Sequence, residues 1–149
     1  MDTTDSDYPA NTSTPGVIAI GMRDYGVITS VDDSDWFKVS LRAGQQYRFT
    51  IEAGTTNGLF DPQLAIYSFA GSLLIQATHG QGFQSKYVEY TPTATADYFL
   101  SASGPPLLGT YIITTENLNS GGNTENNMLT GTSGNDILSC SSGNDTLDG

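Results

Sequence analysis

Between Asp32 and Ala53 the chain alternates apolar and polar residues in two consecutive runs. Phe37, Val39 and Leu41 occupy every second place of the first, against Lys38 and Ser40. Tyr47, Phe49, Ile51 and Ala53 do the same in the second, against Arg48, Thr50 and Glu52. Successive side chains of an extended strand point to opposite faces, so each run predicts a strand with one buried and one wet face. The join Arg42-Ala43-Gly44 is short and includes a glycine free to take a positive φ, so the two runs are expected to close as a β-hairpin. Asp32, Asp33 and Asp35 crowd the mouth of the first run.

The same signature recurs along the body of the chain. Short β-type runs at 17–20, 25–29, 63–69, 72–77, 86–91, 97–103 and 110–115 are separated by turn-rich segments. Together with the two runs above they make about nine short strands at the spacing of an all-β sandwich. Leu64 and Ile66, Val88 and Tyr90, Tyr98, Leu100 and Ala102, and Tyr111 and Ile113 fall on the inward faces. No long window carries a helical stripe. The expectation is an all-β fold, an antiparallel β-sandwich over residues 17–116, behind a polar leader at 1–16 and ahead of a tail at 117–149. Pattern alone leaves jelly roll and Greek key both open. A length of 149 residues suits one domain with a substantial core.

Charge narrows the partners. Sixteen acidic against five basic residues give a formal net charge of −11. Phosphate binding needs clustered Lys and Arg, so nucleic acid is not an expected partner. The excess sits at the ends. Residues 1–35 hold seven aspartates and one Arg, residues 116–149 five acids and no base, and residues 36–115 four of each. A balanced middle between acidic ends points to a folded domain flanked by solvated or cation-binding segments. No apolar run approaches membrane-spanning length, so no membrane insertion is expected. Met1-Asp2-Thr3-Thr4-Asp5 has neither the basic start nor the apolar stretch of a signal peptide. Cys140 is the sole cysteine. That argues for a reducing compartment, although a secreted protein folded by calcium also dispenses with cysteines.

The tail carries a nine-residue repeat. Gly131-Thr132-Ser133-Gly134-Asn135-Asp136-Ile137-Leu138-Ser139 is followed in register by Cys140-Ser141-Ser142-Gly143-Asn144-Asp145-Thr146-Leu147-Asp148. A decayed copy, Gly122 to Thr130, precedes them, and Gly149 starts the next unit. Glycines permit tight turns, aspartate supplies the hard oxygen that Ca²⁺ prefers, and Leu138 and Leu147 are placed to fill the space between layers. The repeat resembles the hemolysin-type RTX nonapeptide, which forms a calcium-binding parallel β-roll. The resemblance implies Ca²⁺ bound through Gly131, Ser133, Gly134 and Asp136 in one unit and Ser142, Gly143 and Asp145 in the next. It places each ion between a loop and the loop two repeats later, here Gly122–Asn127 with Cys140–Asp145. A stack of about three units is needed for stability, so the tail in this form is expected to be weakly ordered and to bind Ca²⁺ poorly. The plainer alternative is a Gly/Ser/Asn linker.

The body resembles a bacterial pre-peptidase C-terminal domain from about Asp5 to Glu116. The resemblance rests on Asp33-Ser34-Asp35-Trp36-Phe37-Lys38-Val39-Ser40-Leu41, Ala43-Gly44-Gln45-Gln46-Tyr47 and Asp61-Pro62-Gln63-Leu64-Ala65-Ile66-Tyr67. Gly71, Tyr90-Thr91-Pro92-Thr93-Ala94, Tyr98-Phe99-Leu100 and Gly109-Thr110-Tyr111 extend it. It implies a jelly-roll-like sandwich, non-catalytic and appended to a secreted protease or other exported enzyme, with relatives in collagenases that bind collagen and calcium. The chain departs from the family at Ala77-Thr78-His79-Gly80-Gln81-Gly82, where an Asp-rich loop is usual.

Three kinds of site follow. A catalytic one is not expected: His79 is the only histidine, and no H-E-x-x-H or G-x-S-x-G motif occurs. Asp5, Asp7 and Asn11 are candidates to fold back onto Asp32, Asp33 and Asp35 around a Ca²⁺ ion. The alternative is a solvated Asp-rich turn. Trp36, Tyr67 and Tyr87, off the inward set, are candidates to stack on sugar rings or a fibrous protein; otherwise they cover the second face of the sandwich. The expected function is a non-catalytic accessory domain of a secreted, calcium-dependent RTX protein, beside a catalytic domain of the same polypeptide and exported by a type I route. The alternative is an independent adhesin module that binds polysaccharide, collagen or another extracellular-matrix protein.

Overall fold

The computed structural model describes residues 8–77, 85–104, 108–119, 128–130 and 146–148. The body contains β1 (Arg23–Ile28), β2 (Ser34–Leu41), β3 (Tyr47–Ala53), β4 (Gln63–Tyr67), β5 (Leu73–Gln76), β6 (Lys86–Tyr90), β7 (Ala96–Ser103) and β8 (Gly109–Asn117). These strands form two four-stranded sheets in the orders β1-β8-β3-β6 and β2-β7-β4-β5. Every pairing within them is antiparallel. Consecutive strands change sheet at every connection except β4 to β5, and this order is a jelly roll.

The expected hairpin between the two alternating runs does not form. β2 pairs with β7, and β3 pairs with β6 and β8, so the runs lie in opposite sheets. Each run buries one face only. Placed in one sheet they would still need a second layer, whereas placed in opposite sheets both turn their apolar faces into the one core between the layers. The Gly44 of the connection does take a positive φ of 77°. Its N–H donates to the Pro92 carbonyl at 2.9 Å and ties this crossover to the one between β6 and β7. The expected strand at 17–20 is likewise only an isolated parallel bridge, Val17 to Lys38.

The inward faces match the alternation. Phe37, Phe49, Ile51, Leu64, Ile66, Leu100, Tyr111 and Ile113 have no exposed surface. Burying each of the aliphatic and phenylalanine side chains is worth roughly 1.5–3 kcal/mol before chain entropy is counted. Leu59, in the loop after β3, joins them. Its side chain fills the space where a Cβ on Gly104 would stand.

One inward position of the core carries a cation. Lys86 opens β6 opposite Ile51 and is 4% exposed. Its Nζ donates to Asp61 Oδ1 at 2.8 Å, and Gln63 Nε2 donates to Oδ2 of the same carboxylate at 3.0 Å. Asp61 holds φ at 63°, a region that Asp and Asn tolerate better than other non-glycine residues. The pair joins the β6 edge of one sheet to the entry of β4 in the other.

Candidate functional site

The aspartate knot separates into three unlike positions. Asp35 points inward from β2, opposite Ala102 of β7, and has no exposed surface. Its Oδ2 accepts the Tyr111 hydroxyl from β8 of the other sheet at 2.6 Å, and its Oδ1 accepts the Tyr8 N–H at 2.9 Å. Burial pushes the Tyr111 hydroxyl far above the ordinary phenol range, and the neighbouring Asp35 carboxylate pushes it further. The phenol therefore remains a donor. Tyr111 lies opposite Gly26 of β1, and a Cβ on Gly26 would occupy the space of its ring and hydroxyl. Glycine at 26 is what lets the phenol cross to Asp35.

Asp33 has a local role. Its Oδ2 accepts the Thr29 N–H at 2.6 Å and the Thr29 hydroxyl at 3.0 Å, closing the turn between β1 and β2. Asp32 is exposed. Asn11 Oδ1 accepts the Ser13 N–H at 2.8 Å within its own turn. Asp5 and Asp7 lie outside the described residues. Among the described residues, no three His, Cys, Asp or Glu side chains gather closely enough to hold a metal ion. The donors around Asp35 and Asp33 are N–H and O–H groups, which suit carboxylates held by hydrogen bonds.

From Tyr8 the leader is pinned to the sandwich. β2 is the edge of its sheet, and an edge leaves backbone groups without a strand partner. The leader supplies partners. Trp36 N–H donates to the Tyr8 carbonyl at 3.2 Å, Lys38 N–H to the Gly16 carbonyl at 2.8 Å, and Ile18 N–H to the Lys38 carbonyl at 3.0 Å. The Thr14 hydroxyl donates to the Trp36 carbonyl at 2.7 Å, and the Tyr8 ring stands edge-on to Phe37 at 5.0 Å. Residues 8–18 thus form a strap along β2, with Asp35 as its anchor.

The outward aromatics divide between the two sheets. Trp36 is on the outer face of β2, yet only 7% of it is exposed. Its ring lies 4.2 Å from Tyr67 and 5.7 Å from Phe99, so these three cover one another. Tyr87, on the outer face of the other sheet, is 60% exposed. The Arg48 guanidinium sits 5.2 Å from its ring centre and contacts Glu89 at 2.6 Å. The hydrogen bond that Arg48 donates to Glu89 holds its pKa above the usual value, against the opposing effect of desolvation. Tyr25, 59% exposed on the outer face of β1, belongs to the same surface. Sequence reasoning missed it, although its place between inward Asp24 and Gly26 and two before Val27 gives its phase. Tyr25 and Tyr87 stand on the two edge strands of β1-β8-β3-β6. Between them lie Ile112 and Thr114 of β8 and Thr50 of β3.

In the tail, β9 (Met128–Thr130) and β10 (Thr146–Asp148) pair in parallel, with Leu147 opposite Leu129. The offset is 18 residues, twice the nine-residue period. The candidate calcium residues Gly131, Ser133, Gly134, Asp136, Ser142, Gly143 and Asp145 lie outside the described residues, as do His79 and Cys140.

No family model matches the sequence, and no curated protein does. Solved structures do resemble the fold. The pre-peptidase C-terminal domain of a collagenase from Bacillus anthracis superposes with a TM-score of 0.55 at 9% identity, covering 68% of this chain and 93% of that one. PliG of Aeromonas hydrophila, a periplasmic inhibitor of g-type lysozyme, gives a TM-score of 0.48 at 10% identity, over 68% of this chain and 97% of that one.

Proposed function

We propose that the sandwich is a non-catalytic accessory domain of a secreted, calcium-dependent protein, binding or presenting substrate for a catalytic domain on the same polypeptide. The observation that carries this reading is the fold shared with the pre-peptidase C-terminal domain of a collagenase over nearly all of that domain. The buried polar groups support it. Asp35 is bonded to Tyr8 and Tyr111, Lys86 to Asp61, Ser101 to Ser34, and Thr115 to the Ala19 carbonyl. Each joins one part of the sandwich to another.

The surface best suited to a ligand is the outer face of β1-β8-β3-β6. Tyr25 and Tyr87 offer ring faces there, and Thr50 and Thr114 offer hydroxyls, a combination that suits a polysaccharide or a matrix protein such as collagen. The same two exposed tyrosines favour the second reading, an adhesin module that binds such a ligand without a catalytic neighbour. The tail reading rests on the repeat and on the parallel pair set two units apart, the offset that a stacked coil of two units per turn requires. Ca²⁺ held between turns would close such an array outside the cell, where the ion is abundant.

Retention of the whole chain on insoluble collagen and on polysaccharides, with and without Ca²⁺, tests the proposal. Binding is expected to fall on Tyr87→Ala and not on Lys38→Ala, and titration calorimetry is expected to show weak heat of Ca²⁺ binding at millimolar ion, as the short repeat array implies. Absence of retention on every matrix removes the ligand-binding role, and absence of heat at millimolar Ca²⁺ removes the metal.

A further inference from the structure

β5 differs from the other strands of the sandwich in that all of its residues are exposed. Leu73, Leu74 and Ile75 are 54%, 43% and 36% exposed, and Phe69, in the turn that leads into the strand, is 67% exposed. The cause lies in the topology. β5 is the outermost strand of β2-β7-β4-β5, and its neighbour β4 already packs on β6, the edge of the facing sheet. β5 therefore overhangs the core, with apolar side chains on both of its faces.

Natural edge strands are usually protected by charge, by proline or by irregular pairing. The register does shift once, between Ile66 and Tyr67, but Ile66 to Ile75 and Ala65 to Gln76 pair regularly. Charge is not used: residues 62–85 include no Asp, Glu, Lys or Arg, in a chain of net charge −11. The backbone also presents groups outward. Ala77 N–H donates to the Leu64 carbonyl at 2.8 Å. Because N–H groups alternate sides along a strand, the N–H and C=O of Gln76 point away from β4.

We propose that β5 is a self-association edge: two copies of this chain pair β5 with β5, antiparallel about a two-fold axis, and join their sheets into one of eight strands. A second copy is the occupant for two reasons. An antiparallel edge is self-complementary, so one sequence supplies both sides. Two chains of net charge −11 also repel, and the uncharged β4–β5 region is where they can meet without opposing carboxylates. A basic partner would instead be drawn to the acidic ends.

Sedimentation velocity on the full chain, from low micromolar to several hundred micromolar, tests this, with CD melting to confirm that each variant is folded. Wild type is expected to show a monomer–dimer equilibrium. Leu74→Glu places like charges at the interface and is expected to weaken it by about tenfold or more. Gln76→Pro removes the outward N–H and is expected to act in the same direction. Tyr25→Glu, on the opposite sheet, is expected to leave the equilibrium unchanged. A monomer at every concentration overturns the proposal, and so does association that persists in both folded β5 variants or is lost in Tyr25→Glu.

Discussion

Replacing Tyr111 by Phe removes one oxygen from the centre of the sandwich and leaves the ring. That oxygen donates to Asp35 Oδ2 at 2.6 Å, and neither residue has exposed surface. Neither group reaches bulk solvent, and the acceptor is a carboxylate. The loss expected is that of a charge-assisted hydrogen bond, about 1.5–3 kcal/mol. The ring still packs edge-on to Phe37 at 6.5 Å, so little transfer or cavity energy is added. Urea unfolding at pH 7, followed by Trp36 fluorescence, measures the difference directly. In a sandwich of about 100 residues, heat denaturation should fall by roughly 10 °C.

An alkaline arm separates this bond from general loosening. Burial and Asp35 raise the Tyr111 pKa in the folded state, whereas the unfolded phenol ionises near about 10. A raised folded pKa gives a contribution that is complete below about pH 10 and is lost as pH climbs above it, because only the unfolded chain then releases the proton. The wild type should lose an additional 1.4 kcal/mol, roughly, per pH unit there, and Tyr111→Phe should lack that increment. The other tyrosines are common to both proteins and cancel in the difference. A loss below about 0.5 kcal/mol at pH 7, with identical alkaline slopes, would refute the assignment of Tyr111 and Asp35 as a stabilising bond.

Three further substitutions test other buried polar and aromatic contacts by urea unfolding, the Trp36 variant being followed by far-UV CD in place of fluorescence. Asp61→Ala leaves the Lys86 ammonium 4% exposed without its carboxylate and is expected to cost about 3 kcal/mol, whereas Lys86→Met, which leaves a carboxylate one-third exposed, should cost under about 1 kcal/mol. Trp36→Ala is expected to cost about 3–5 kcal/mol because the indole is packed on Tyr67 and Phe99, and a Trp36 serving only as an outer platform for ligand would be removed with little loss.

The sequence carried the inward faces but not the pairing. Alternation assigns Phe37, Val39, Leu41, Tyr47, Phe49 and Ile51 to the core, and all six are buried. Which strands lie side by side is a non-local property. β2 and β3 adjoin in sequence and part in space, because β7 and β8, some sixty residues on, offer longer partners whose own apolar faces need covering. Polarity of phase misled at Trp36. An outward position on a strand predicts exposure only when nothing stacks above it, and here Tyr67 and Phe99 come from β4 and β7. The strap was illegible for another reason: its bonds are made largely by backbone groups of Tyr8 and Gly16, which no side-chain pattern reveals.

The aspartate knot shows which feature of the sequence did carry the information. Asp32, Asp33 and Asp35 are alike in type, and type groups them as one cation site. Phase separates Asp32 from the other two. Asp35 is two residues before Phe37 and four before Val39, so it shares their inward direction. Lys86 stands in the same relation to Val88 and Tyr90. A charged group in phase with the core of a two-layer fold must find a partner within the layers or across them, since solvent is closed to it. Both do so across the sandwich. Asp35 on β2 takes the Tyr111 hydroxyl from β8, and Lys86 on β6 takes the Asp61 carboxylate at the entry to β4. Each contact links one sheet to the other near an end of the strand that bears it. A buried charge with a partner of fixed position adds, to the register that apolar packing already specifies, a further penalty against any shift of one sheet over the other. That is the role that phase assigns to Asp35, and it explains why the same residue also serves to anchor the leader.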